Sequence, residues 1–229
     1  MAPEAKRVAI NHGLAEEVIR QKPDLVLAGS FTTPALRAML KRLGYPLIEL
    51  DAANSFDDIR DRTRQVAAAV GEGARGEALI AEMDAKLDAL ARAPHPRLRV
   101  AGWDRNGFSA SKMTMQGAIF AAAGAINIAD ELPVGSYGRP DAEVLLATAP
   151  PLLVEGSPFA KAASLGDDLE AHPLVRRFWT ATGRMLTIPQ AYYVCGAPRT
   201  ADAVALLRDQ LGKAAAHAGL PLPFAERRQ

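Results

Sequence analysis

One uninterrupted stretch in the middle of the chain, from Ala74 to Ala93, constrains the fold more than any other feature. Apart from Gly76 it is rich in residues that favour helices, and Pro94 and Pro96 end it. Its apolar side chains recur at steps of four, four and three residues: Leu79, Met83, Leu87 and Leu90. A helix of about 20 residues spans roughly 30 Å, the width of a small domain. The sequence therefore predicts a helical strut between two lobes.

Short apolar runs alternate with helical patterns before this helix. Asp24–Ala28 and Leu47–Leu50 are typical of buried strands. Thr33 precedes a helix that begins at Pro34, and Ser55 is positioned to cap a second helix that reaches about Val70. The order strand, helix, strand, helix predicts parallel strands joined by crossover helices.

The same alternation resumes after the strut, with strands predicted over Leu98–Trp103, Leu152–Val154 and Met185–Ile188 and a final helix over Thr200–Ala218. The pattern P-x-L-x-x-x-G-S occurs at residues 23–30 and again at 150–157. This repetition indicates two similar lobes with a Gly-Ser loop at the carboxyl end of a strand, which is where open α/β sheets bind ligands.

We therefore predict an α/β fold of two lobes with short, mostly parallel sheets flanked by helices. The first lobe comprises residues 1–72, the connecting helix residues 73–93, and the second lobe residues 94–229.

Composition excludes several classes of protein. Lys and Arg number 27 against 26 Asp and Glu, so the basic surface of a nucleic-acid binder is not expected. Cys195 is the single cysteine, which excludes an internal disulfide and paired-cysteine zinc sites. The four histidines are scattered, so we expect no metal site, no catalytic residues and no resident cofactor. The first residues contain no apolar stretch of the kind that a secretory signal requires.

Residues 71–76 match the dinucleotide-binding pattern G-x-G-x-x-G letter for letter. That pattern binds a pyrophosphate only when a strand precedes it, and here the preceding segment has helical periodicity. We interpret these glycines as the end of one helix and the start of the next.

Aromatic residues make up only 6% of the chain, so their positions are informative. Several are predicted to follow strands or to lie in loops: Phe31, Trp103, Phe108, Tyr137 and Tyr192. Together they suggest a stacking platform for a large planar or amphipathic ligand, although core packing is an equally good interpretation of Trp103. Arg139, in the same loop as Tyr137, is a candidate partner for a ligand carboxylate or phosphate.

Residues 14–27, an acidic helix followed by K-P-D-L-V, resemble a segment of the substrate-binding proteins of ABC importers. The resemblance is to the class that takes up vitamin B12, ferric siderophores or haem and that joins two α/β lobes by a single long helix. It continues through Leu43–Pro46, the strut and the G-A-I-N-I segment at residues 124–128.

This resemblance implies a periplasmic, monomeric protein that delivers a metal chelate or corrinoid to a permease in the inner membrane. It also implies ligand contacts from Ser30, Phe31, Trp103, Phe108 and Tyr192. The family's first lobe begins with further strand and helix units, so we expect the first lobe to be incomplete at its N-terminus. Members of the family usually carry an acidic residue just after the first ligand loop. Residues 31–35 of this chain, which occupy that place, contain no acidic residue.

The alternative is a doubly wound α/β enzyme acting on a nucleotide or a sugar. The predicted strut and the repeated Gly-Ser loops favour the binding protein, because no set of base, nucleophile and phosphate loop converges in the sequence. The sequence does not distinguish vitamin B12, siderophore and haem, since aromatic and arginine side chains suit all three.

Overall fold

The structure is a computed structural model that describes residues 7–8, 11–104, 107–109, 113–132, 142–157, 173–218 and 222. Its internal contacts divide the chain into two compact units, Met1–Ala52 and Ala53–Gln229. The helices on either side of residue 72 both lie within the second of these units, and the predicted lobes 1–72 and 94–229 stay a prediction. The assignment of a connecting helix between lobes stays a prediction.

The first unit contains two helices and two strands, which are α1 (Ala15–Gln21), β1 (Val26–Gly29), α2 (Pro34–Arg42) and β2 (Leu47–Leu50). β1 and β2 pair in parallel, as predicted, with Val26 opposite Leu47. α2 begins where the sequence predicts, because the Thr33 hydroxyl accepts a hydrogen bond from the Leu36 amide at 3.4 Å. The buried apolar residues described in this unit are few: Val18, Ala28 and Leu40.

Among the described residues the second unit contains five α-helices of seven residues or more, a three-residue helical segment at Pro173–Val175, five strands, and short 3-10 and π-helical turns. In chain order the five longer helices and the five strands are α3 (Phe56–Ala69), α4 (Gly73–Arg92), β3 (Arg99–Asp104), β4 (Gly107–Ser109), α5 (Met115–Ala122), β5 (Ile126–Asn127), α6 (Ala142–Thr148), β6 (Leu152–Ser157), β7 (Met185–Pro189) and α7 (Thr200–Ala218). A π-helical turn at Arg176–Thr180 precedes β7, and a 3-10 turn at Gln190–Tyr192 follows it.

The sheet of the second unit is mostly parallel. β3 pairs in parallel with β6 on one side. On its other side β3 pairs with two short strands, β5 in parallel and β4 antiparallel. β7 pairs in parallel with the other side of β6. The sequence analysis missed β4 and β5, because strands of three and two residues carry too little periodicity to predict. The predicted α/β class with short, mostly parallel sheets flanked by helices is confirmed.

α3 and α4 form a hairpin at the glycine-rich segment. α3 starts with a capping box in which the Ser55 hydroxyl and the Asp58 carboxylate each accept a backbone N–H of the other residue. Gly71, with φ of +74°, ends α3, and α4 begins two residues later. A Cβ added at Gly76 would lie 2.5 Å from the Cβ of Ala67, so this glycine lets the two helices approach closely. The interpretation of residues 71–76 as a helix–helix turn is therefore confirmed.

The buried stripe of α4 differs by one residue from the predicted one. Ile80 is buried, whereas Leu79 is 42% exposed. Met83 is buried in the core, and Leu87 and Leu90 are half-buried against it. The buried stripe of α4 begins at Gly76, where the helix packs against α3. The residues that continue this face are Ile80 and Met83, so Leu79 points toward solvent.

Each face of the larger sheet has its own core. On one face Val100, Leu152 and Ile188 pack against residues of α4, α5 and α7. On the other face Leu153 and Trp103 pack with Leu145 of α6, Trp179 and other apolar side chains. Arg208 of α7 ties the ends of two helices together, because its guanidinium donates hydrogen bonds to the carbonyls of Ala93 and Ala122 at 3.2 and 3.0 Å.

Candidate functional site

Ser30 and Phe31 occupy the turn between β1 and α2 in the first unit. The turn is tight, because the Thr32 amide donates to the Gly29 carbonyl at 2.9 Å and Thr33 already caps α2. Both residues are exposed, and the Phe31 side chain is 95% exposed. The turn fixes the backbone at Phe31, and the ring is left open to solvent.

The carboxyl ends of β3, β6 and β7 bring three side chains of the second unit into neighbouring positions. Trp103 pairs in register with Glu155, and Glu155 pairs with Thr187. Paired residues of a parallel sheet lie on the same face, and here that face is the one that carries Leu153 and the Trp103 core. We refer to Trp103, Glu155 and Thr187 as the strand-end row.

Trp103 lies in the core, where it is 1% exposed. This is the interpretation of Trp103 that the sequence left open beside ligand binding. Its indole Nε1 is buried and has no hydrogen-bond partner among the described residues, whereas the indole of Trp179 donates to the Pro150 carbonyl at 2.8 Å. A ligand contact from Trp103 stays a prediction.

Glu155 is the ionisable member of the strand-end row, and it is half-buried. Burial raises the pKa of Glu155 above its ordinary value, and a hydrogen bond with Thr187 opposes that rise. Thr187 is itself held in place, because its backbone N–H and carbonyl both pair with the Gln210 side-chain amide at 2.9 Å. The sequence analysis did not single out Glu155 or Thr187.

Tyr192 lies on the 3-10 turn that follows β7, half-buried against the first of the two cores. The turn is fixed to the start of α7, since the Thr200 hydroxyl donates to the Tyr192 carbonyl at 2.6 Å. The next residue, Tyr193, packs its hydroxyl directly against Gly156 of β6, where any Cβ would collide with it. The structure thus places Tyr192, like Trp103, at the carboxyl end of the sheet.

The remaining predicted contacts are less fully described. Phe108 pairs with Trp103 across the β3–β4 hairpin, which puts its backbone beside the strand-end row. Tyr137 and Arg139 lie outside the described residues. The Gly-Ser pairs of the repeated pattern do end strands: Gly29 closes β1, and Ser157 closes β6.

The part of the chain that the structure describes contains no group of three or more His, Cys, Asp or Glu residues that could hold a metal ion. None of its helices is long and apolar enough to cross a membrane.

Comparison with known sequences gives a consistent result. A family model described as periplasmic binding protein matches residues 8–191. Cobalamin-binding proteins from two strains of Halobacterium salinarum are each 29% identical over 197 residues, which is 83% of this chain and 53% of each relative. The chain therefore spans about half the length of these curated relatives.

Solved structures share the fold. The periplasmic heme-binding protein RhuT from Roseiflexus sp. RS-1, in its apo form, is 25% identical with a TM-score of 0.73, covering 88% of this chain and 80% of that one. HutB, a periplasmic heme-binding protein of Vibrio cholerae, is 16% identical with a TM-score of 0.76, covering 92% and 87%. BtuF, a periplasmic vitamin B12 binding protein of Vibrio cholerae, is 18% identical with a TM-score of 0.67, covering 93% and 85%.

Proposed function

The chain belongs to the periplasmic binding protein family, and we propose that it binds a metal chelate or corrinoid and delivers it to the membrane permease of an ABC importer. The ligand would be a ferric siderophore, vitamin B12 or haem. This range of ligands is supported by its similarity to proteins named as cobalamin-binding and heme-binding. The enzyme acting on a nucleotide or sugar is not favoured, because the family consists of substrate-binding proteins.

The observation that carries this proposal is the exposure of Phe31. A phenylalanine that is 95% exposed forfeits the free energy of burying its ring. Binding a flat macrocycle would recover that free energy. The proposed site residues in the first unit are therefore Ser30 and Phe31, with Phe31 as the apolar anchor.

In the second unit the proposed contacts come from Trp103, Phe108 and Tyr192, together with Tyr137 and Arg139, which lie outside the described residues. Their chemistry suits a ligand with an apolar plane and a polar rim: rings stack on the plane, and an arginine pairs with an anionic rim group. Such a protein binds and releases its ligand without changing a covalent bond, and the proposed location is the periplasm.

Isothermal titration with cyanocobalamin, haemin and ferrichrome tests the proposal. We expect one of the three to bind with micromolar or tighter affinity, and Phe31→Ala to weaken that binding about tenfold, as loss of an aromatic anchor does. Leu43→Ala is the matched control, because Leu43 is also an exposed apolar residue of the first unit, at 51% exposure, but follows α2 rather than β1.

Two results would contradict the proposal. Failure of all three ligands to bind the folded protein would exclude the proposed ligand range. Equal affinities of Phe31→Ala and Leu43→Ala for a ligand that does bind would remove Phe31 from the site while leaving the function.

A further inference from the structure

The strand-end row differs from the residues that precede it on the same face of the sheet. Two residues earlier on each strand, and on the same face, the paired residues are Ala101, Leu153 and Met185, which are all apolar. In the strand-end row the apolar sequence ends, and a carboxyl group and a hydroxyl group take its place beside Trp103. The face thus changes from core to polar at the carboxyl ends of the strands, where ligands of parallel sheets bind.

The described contacts give the Glu155 carboxyl one side-chain partner, the hydrogen bond with Thr187. Half-burial of Glu155 disfavours its charged form, and no lysine or arginine among the described residues contributes to its pKa. The neighbouring Trp103 Nε1 is a buried donor without a partner among the described residues. Among the described residues a half-buried carboxyl group and a buried donor without a partner therefore occur on adjacent strands, which is costly for folding alone.

We propose that Glu155 selects ligands whose rim carries amide groups over ligands whose rim carries carboxylates. The inference rests on the proposed function, since it concerns the same ligand site and the same range of ligands. An amide N–H donates to the oxygens of Glu155 whether that carboxyl is protonated or ionised.

A carboxylate on the ligand has no such match at Glu155. It would lie beside an ionised Glu155 with no described cation to compensate, or it would require Glu155 to take up a proton. The periphery of cobalamin carries amide side chains, whereas haem carries two carboxylates. Glu155 therefore favours the corrinoid within the proposed range of ligands.

Cyanocobalamin and its monocarboxylic acid derivatives test the inference, because each derivative differs from the parent by one amide converted to a carboxylate. We expect the wild-type protein to bind cyanocobalamin at least tenfold more tightly than one of the derivatives. In Glu155→Gln that ratio should fall to within twofold, since the amide of Gln both donates and accepts. Glu143→Gln on α6, an exposed position in the same unit, is the matched control and should keep the wild-type ratio.

Each outcome decides one proposal. Equal affinity of the wild-type protein for cyanocobalamin and all derivatives, or an unchanged ratio in folded Glu155→Gln, would overturn the role of Glu155. Binding of haemin but not of cyanocobalamin would overturn it too, while leaving the proposed function intact. Binding of none of the probes would instead overturn the proposed function. Glu155→Asp is the second variant if melting curves show that Glu155→Gln does not fold.

Discussion

The two units of this chain differ in how much apolar core they contain. The described residues of the first unit bury three apolar side chains and form a sheet of two strands, whereas the second unit has a core on each face of a five-stranded sheet. Yet the most exposed aromatic ring among the described residues, Phe31, lies in the first unit. The comparison indicates that the second unit has the larger described core, and that the first unit exposes an aromatic ring from a segment with little described core of its own.

Separate expression of the two units gives the largest expected effect. Residues 53–229 should unfold cooperatively on heating, because both cores lie within them. Residues 1–52 should show no cooperative transition, since a segment of this size with so small a core does not offset its conformational entropy. Circular dichroism during heating measures both, and a cooperative transition in the shorter fragment would contradict the comparison.

Core substitutions in the full chain sharpen the comparison further. Phe120→Ala removes a fully buried ring from the second unit and should lower its free energy of unfolding by about 3–5 kcal/mol. Leu40→Ala removes an equally buried side chain from the first unit and should loosen only that unit.

Fluorescence distinguishes the two outcomes, because both tryptophans, Trp103 and Trp179, lie in the second unit. Urea denaturation followed by tryptophan emission should shift for Phe120→Ala and stay unchanged for Leu40→Ala. Hydrogen exchange should show lost protection of β1 and β2 in Leu40→Ala. A shift of the tryptophan transition in Leu40→Ala would show that the units do not unfold separately.

The α3–α4 hairpin tests how tightly the second unit is packed. Gly76→Ala should destabilise it by about 1–3 kcal/mol, because the added Cβ collides with Ala67 and overpacks the helix pair. Gly73→Ala is the matched control, since nothing lies within 4 Å of its added Cβ and alanine favours helices; it should be neutral or stabilising by less than about 1 kcal/mol. Chemical denaturation measures both, and equal effects of the two substitutions would show that the helices can separate without cost.

Much of this fold could be predicted from the sequence, because local signals agree with the final packing. Thr33 and Ser55 mark helix starts by their capping chemistry, and the observed bounds of α7 are the predicted ones. The exposure of Leu79 could not be predicted, because the direction of the α4 stripe depends on the close approach of Gly76 to Ala67, a contact between two helices.

The candidate site was harder to predict than the fold. The run Leu152–Val154 of β6 is apolar on both faces of the strand. It therefore does not indicate that the next residue, Glu155, lies on the same face as Trp103. That information is in the register between strands, which no local pattern contains. The burial of Trp103 is likewise decided by tertiary packing.

The smallest expected effect concerns the capping box of α3, which is a pH-sensitive feature of the second unit. Hydrogen bonds from the backbone N–H groups of Asn54 and Ser55 lower the pKa of the Asp58 carboxyl from its ordinary value of 3.8. Because the folded pKa is the lower one, the stability that Asp58 contributes is fully present above the unfolded pKa and is lost as pH falls through the folded pKa.

Asp58→Ala should therefore lower the free energy of unfolding by about 1 kcal/mol at pH 7, the typical contribution of a helix cap. The loss should become smaller as the pH falls below 3.8. Asp61→Ala is the control, because Asp61 lies on the exposed side of the same helix at 72% side-chain exposure and should change the stability by less than about 0.5 kcal/mol. Urea denaturation at a series of pH values measures the difference between the two variants. A cost for Asp58→Ala that stays constant down to pH 2 would show that the capping carboxylate gains nothing from its charge, and that the hydrogen-bond geometry alone stabilises the start of α3.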